Sequence, residues 1–176
     1  MNNIKASPGI LLRQFRVSDI PELMIAAADP EIQQGLALAY PLTDSHVALK
    51  WINEGQDLYN TGQGIIAAVS KSDDTKQLLG CIELRFTNDQ GPLFGYWTMP
   101  HLRRQGIAKQ ALKLAYHWAT REYSLTEGSL LALPENYPSH RVALACGFEE
   151  IGEISKYDIR VEKEITFKVF RRRTSQ

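Results

Sequence analysis

Leu93-Phe94-Gly95-Tyr96-Trp97-Thr98-Met99-Pro100-His101-Leu102-Arg103-Arg104-Gln105-Gly106-Ile107-Ala108 decides how this chain is built. Its first half is apolar and aromatic and reads as a strand. Its second half is basic, contains a glycine and opens a helical pattern. A strand that passes through such a turn into a helix leaves the first helical N–H groups unpaired beside the positive end of the helix dipole. That arrangement suits a phosphate or pyrophosphate. It names a ligand class before any reaction.

Upstream, Ile65 to Val69 and Leu78 to Phe86 read as strands, with turns at Ser72 to Thr75 and Asn88 to Gly91. With the aromatic run they predict an antiparallel meander. Before it, Gly9 to Arg16 suits a first strand. Ser18 or Asp19 offers an N-cap, Pro21 sits in the first turn, and Leu23, Met24, Ala27 and Ala28 supply an apolar face; Pro30 reads as the stop. Thr43 or Asp44 opens a longer helix to about Asn60, with Val47, Trp51, Ile52 and Leu58 on one side.

Downstream, Gly106 to about Glu122 has Ala108, Ala111, Leu112, Ala115, Trp118 and Ala119 on one face. Leu130 to Leu133 is a short strand stopped by Pro134. Tyr137-Pro138-Ser139-His140 leads into a short helix ending at Cys146-Gly147, and Phe148 to Ile154 with Ile159 to Phe170 make a closing hairpin. The order predicts one mixed α/β (α+β) domain over residues 1–176, with about seven strands in a mostly antiparallel sheet and about four helices.

Hydrophobic residues at 44% and charged residues at 23% are ordinary for a globular chain, and 176 residues suffice for one sizeable core. Twenty basic residues balance twenty acidic ones, so overall charge gives no reason to expect nucleic-acid or membrane binding. Arg171-Arg172-Arg173 is a local exception and reads as a solvated tail. Cys81 and Cys146 stand alone, which predicts reduced, structural thiols and no disulfide framework or metal site. The polar start (Asn2, Asn3, Lys5) lacks a leader-like apolar core, and no run approaches a membrane span. The chain reads as cytoplasmic.

The Walker phosphate loop is absent, and only Gly106 and Ala108 fall in register with a dinucleotide fingerprint. The meander also argues against a parallel nucleotide-binding unit. The combination is more specific. Gly95-Tyr96-Trp97-Thr98-Met99-Pro100, then Arg103-x-x-Gly106-x-Ala108 at a helix start, then Asn136-x-x-Ser139 and a short helix closing with Cys146-Gly147-Phe148 resembles the GCN5-related N-acetyltransferase family. The resemblance spans nearly the full length and is nearest the branch that acetylates ribosomal-protein N-termini.

That resemblance implies acetyl-coenzyme A as cosubstrate. Its pyrophosphate would sit on main-chain N–H groups of Arg104, Gln105, Gly106, Ile107 and Ala108, with Lys109 adding charge. The Met99 amide would be the oxyanion donor, worth about 3 kcal/mol. Asn136 would hydrogen-bond the pantetheine arm. Ser139 would reach the coenzyme sulfur and assist the departing thiolate; an N-cap role for Ser139 and a turn role for Asn136 stay open.

Relatives in this branch carry an acidic residue just before the Gly-Tyr-Trp segment, where this chain has Leu93 and Phe94. Glu83, on the neighbouring strand, is the replacement for a general base, against the alternatives of an exposed surface Glu or a water chain. His101 and His140 read as surface or capping residues. Tyr40, Trp51, Tyr59 and Trp97 either line an acceptor pocket or pack in the core, and either Tyr96 or Trp97 faces the cleft. Cys81 lacks the partners that would activate it as a covalent carrier. The function expected is direct transfer of acetyl to a primary amine, a protein N-terminus first. A small-molecule amine (antibiotic, polyamine or aminoacyl-nucleotide) and a non-catalytic acetyl-coenzyme A-binding module are the alternatives. A homodimer is compatible with the sequence but nothing in it calls for one.

Overall fold

In the computed structural model, which describes residues 4–7, 9–35, 42, 44–89, 91–158 and 162–174, the meander is the centre of an eight-stranded sheet. Its strands are β1 (Ile4–Ser7), β2 (Ile10–Gln14), β3 (Gly64–Lys71), β4 (Leu78–Thr87), β5 (Gly91–Thr98), β6 (Glu127–Ala132), β7 (Glu149–Asp158) and β8 (Lys163–Arg173), in the order β1-β2-β3-β4-β5-β6-β8-β7. Neighbours run antiparallel except β5 and β6, which are parallel. The strand beyond the expected seven is β1, which folds back on β2.

Among the described residues five α-helices cover the sheet: α1 (Ile20–Ala27), α2 (Pro30–Gly35), α3 (Ser45–Asn60), α4 (Ile107–Tyr123) and α5 (Tyr137–Ala145). Alternation along the strands sends side chains to two cores. Ile65, Ala67, Ile82, Leu84 and Phe94 pack with Ala111, Leu112 and Ala115 of α4 and Ala143 of α5. Ile66, Ala68, Cys81 and Met99 pack on the other face with Leu23 of α1, Ile32 of α2 and Ile52 of α3.

The α3 start follows from Asp44, whose carboxylate accepts the N–H groups of His46 and Val47 at 2.8 and 2.9 Å. Two local readings are corrected. Pro30 begins α2 instead of stopping a helix. Proline fits a first helical turn, and the Asp29 carboxylate accepts the Ile32 N–H at 2.9 Å to cap it. Arg171, Arg172 and Arg173 are not a solvated tail. They end β8, opposite Ser129, Gly128 and Glu127, and the Arg172 guanidinium lies 4.2 Å from the centre of the Tyr116 ring. Among the described residues no helix is long and apolar enough to cross a membrane.

Candidate functional site

The parallel pairing of β5 with β6 is short. Leu93 faces Ser129 and Phe94 faces Leu130, and the register goes no further, although β5 stays paired with β4 up to Thr98. Beyond Phe94 the two strands part. A cleft of about 950 Å³ opens along this seam, lined by Gly95, Tyr96, Trp97 and Thr98 on one side and by Leu131, Leu133, Asn136 and Ser139 on the other. Arg104, Gly106, Ile107, Ala108 and Lys109 close one end.

Gly106 is the α4 N-cap with φ 76° and supplies no capping side chain to the first helical amides. Arg104 is also left-handed, φ 63°, so the turn rolls its backbone around the helix entrance. Gln105 is exposed and does not line the cleft. The Arg103 guanidinium hydrogen-bonds the Asp29 carboxylate and lies 3.0 Å from Glu31. Burial raises the Asp29 carboxyl, but hydrogen bonds from Arg103 and the Ile32 N–H outweigh it, and the net is below the usual carboxylate range.

The Met99 assignment is corrected. Its N–H donates to the Leu79 carbonyl at 2.9 Å and its side chain is 2% exposed in the core. Successive amides of a strand point to opposite edges. With Met99 bonded to β4, the Thr98 and Tyr96 amides point toward the seam. Strand parity relative to β4 is the signal that would have separated Thr98 from Met99.

Asn136 and Ser139 stand together at the start of α5. The Asn136 Oδ1 accepts the Ser139 N–H at 3.2 Å, so Asn136 is the N-cap and Ser139 is not. The Ser139 Oγ lies 2.9 Å from the Tyr96 hydroxyl, which also reaches the Ser139 carbonyl at 3.1 Å. This link across the seam is a site feature the sequence reading lacks.

Both Tyr96 and Trp97 line the cleft, from opposite faces: Tyr96 packs with the α4–α5 core and Trp97 with the α1–α3 core. Glu83 is not on the cleft wall. It pairs with Arg85, is 26% exposed, and its Oε2 lies 3.8 Å from where a Cβ on Gly95 would stand. Trp51 is a core residue, edge-on to Phe15 at 5.1 Å, and Tyr59 packs on the α4-side core. The His140 ring is buried with Nε2 2.9 Å from the Leu133 carbonyl, while His101 is exposed. Cys81 is buried, and burial followed by the Glu83 charge pushes its thiol well up. Tyr40 lies outside the described residues. Among the described residues no cluster of metal-ligating side chains occurs.

Residues 10–149 match the profile of the acetyltransferase (GNAT) domain. No curated protein matches the sequence. Among solved structures, the acetyltransferase from Salmonella typhimurium that modifies the N-terminal serine of ribosomal protein L7/L12 superposes with a TM-score of 0.82 at 18% identity, covering 99% of this chain and 100% of that one. RimL, the L7/L12 α-N-protein acetyltransferase, in complex with coenzyme A gives 0.82 at 18% identity, covering 98% of each chain. The microcin C7 self-immunity acetyltransferase MccE, in complex with acetyl-CoA and AMP, gives 0.80 at 15% identity, covering 96% of this chain and 94% of that one.

Proposed function

The chain belongs to the GNAT acetyltransferase family, with acetyl-coenzyme A as acyl donor, and from that premise we propose that it acetylates a protein N-terminal α-amine by direct attack. The observation that carries the reading is the β5–β6 seam, because a strand edge left unpaired beside an uncapped helix start suits a pantetheine arm ending in a pyrophosphate.

Main-chain N–H groups of Arg104, Gly106, Ile107 and Ala108, which line the cleft as Gln105 does not, hold the pyrophosphate, with Lys109 adding charge. Tyr96 and Thr98 offer their backbone edge to the pantetheine arm, and the Asn136 Nδ2 donates to it from the far wall. The Thr98 N–H, in place of that of Met99, steadies the oxygen that gains charge as the amine adds to the thioester carbonyl. Such a donor is worth about 3 kcal/mol because it is aimed before the reaction begins. Ser139 hydrogen-bonds the departing sulfur. Glu83, paired with Arg85, accepts the amine proton through water passing Gly95. Trp97 flanks the acceptor. The likeness to the two L7/L12 acetyltransferase structures supports a protein N-terminus.

The test is acetyl-coenzyme A turnover on peptides beginning Ser, Thr, Ala or Met and on a panel of polyamines and aminoglycosides, read by thiol release and product mass. A mass gain of one acetyl group at a peptide α-amine is expected. Turnover confined to small amines overturns the acceptor. Tight acetyl-coenzyme A binding with no turnover on any amine overturns catalysis.

A further inference from the structure

The Ser139 hydroxyl lines the cleft and carries one hydrogen, and its staggered positions send that hydrogen in different directions. Helix α5 does not choose among them, since Asn136 caps the helix by taking the Ser139 N–H and leaves Oγ to other partners. One such partner is the Tyr96 phenol, which comes from the opposite wall of the seam. It stands 2.9 Å from the Ser139 Oγ and 3.1 Å from the Ser139 carbonyl, and those two acceptors compete for one phenolic hydrogen.

The two choices have different consequences. With the phenol hydrogen on the carbonyl, Oγ can bond the phenol only by donating to its oxygen, which draws the Ser139 hydrogen away from the cleft. With the phenol hydrogen on Oγ, the Ser139 hydrogen is free to turn toward the cleft. We propose that Tyr96 is the positioning residue for Ser139, its phenol setting whether the serine hydroxyl is a donor toward the acyl group. The inference rests on the reading of Ser139 as the group that meets the sulfur.

Two observations strengthen it. Burial, against the opposing Ser139 hydrogen bond, pushes the Tyr96 phenol up, so the phenol keeps its hydrogen over the whole working range and remains a donor. The Tyr96 ring is wedged into the α4-side core, so its hydroxyl is fixed by packing while that of Ser139 is free to rotate. The fixed group aims the free one.

The experiment is a double-mutant cycle with Tyr96→Phe and Ser139→Ala on the full chain, read as kcat, KM for acetyl-coenzyme A and thermal midpoint. Tyr96→Phe should lower kcat about tenfold, the rate equivalent of one hydrogen bond, with KM within about twofold. Ser139→Ala should lower kcat about 100-fold. The double variant should match Ser139→Ala alone. Tyr96→Phe at full kcat, or a double variant whose losses multiply, overturns the proposal and leaves Ser139 standing. Ser139→Ala at full kcat overturns the Ser139 reading and this inference with it. Should Tyr96→Phe fail to fold, 3,5-difluorotyrosine at position 96 keeps the ring and the hydroxyl. It should change kcat in the Ser139 background and not in the Ser139→Ala background, and equal changes in both overturn the proposal.

Discussion

Gly106 holds its left-handed φ of 76° with room to spare, since a Cβ there would meet only the Gln110 side chain, at 3.8 Å. The obstacle to another residue is therefore backbone conformation and not space. Gly106→Ala should cost about 1 kcal/mol, a fall of about 2–4 °C in the thermal midpoint for a chain of this size. Acetyl-coenzyme A binding should weaken several-fold while kcat at saturation holds, because only the amides that meet the pyrophosphate are re-aimed. Gly106→Glu adds a carboxylate at the proposed phosphate site and should abolish binding in calorimetry. Unchanged affinity in both variants would remove the pyrophosphate from this turn. The turn was legible because its residues are contiguous and its chemistry is local. The Met99 assignment failed for the opposite reason, since where an amide points depends on register with a strand twenty residues earlier. The Tyr96–Ser139 pair spans 43 residues, and no periodicity reports a contact between a strand and a distant helix start.

Helices whose signals are local read correctly, with Asp44 opening α3 and the small apolar stripe of α4 facing the sheet. Elements whose identity depends on a distant partner did not. The three arginines ending β8 are a strand because β6 lies beside them, which charge alone conceals. Pro30 marks a helix start because Asp29 caps it and Arg103 grips that cap from the phosphate turn. This grip ties α2 to the entrance of α4 and carries a pH signature. The Asp29 carboxyl is held below its ordinary value, so its contribution is fully present above about pH 3.9. It fades as pH falls through the lower folded value. Asp29→Asn should lower the urea midpoint at pH 7 and flatten the loss of stability below about pH 4, with a weaker hold on acetyl-coenzyme A as the turn loosens. An unaltered acid limb would show that Arg103 and Asp29 do not matter to stability.

At the scale of the molecule, one sheet is assembled from two parts, β1 to β5 and β6 with β8 and β7, joined through two residue pairs. The β5 edge beyond Phe94 is consequently unlike an ordinary sheet interior. Its alternate amides face β4 and the seam, and among the described residues only the first set has protein partners in the ladder. A ligand lying in the seam would act as a short additional strand, and hydrogen exchange distinguishes the two sets. The Trp97 and Met99 amides, on the β4 side, should exchange slowly with or without acetyl-coenzyme A. The Tyr96 and Thr98 amides should exchange fast in the free protein and slow by about 100-fold with the coenzyme at about 100 times its Kd. The same occupancy adds about 2.7 kcal/mol of stability, which raises the thermal midpoint by about 5–10 °C. Protection that appears equally on both sets would mean general tightening of the sheet. Protection on neither, with the midpoint raised, would place the coenzyme somewhere other than between β5 and β6.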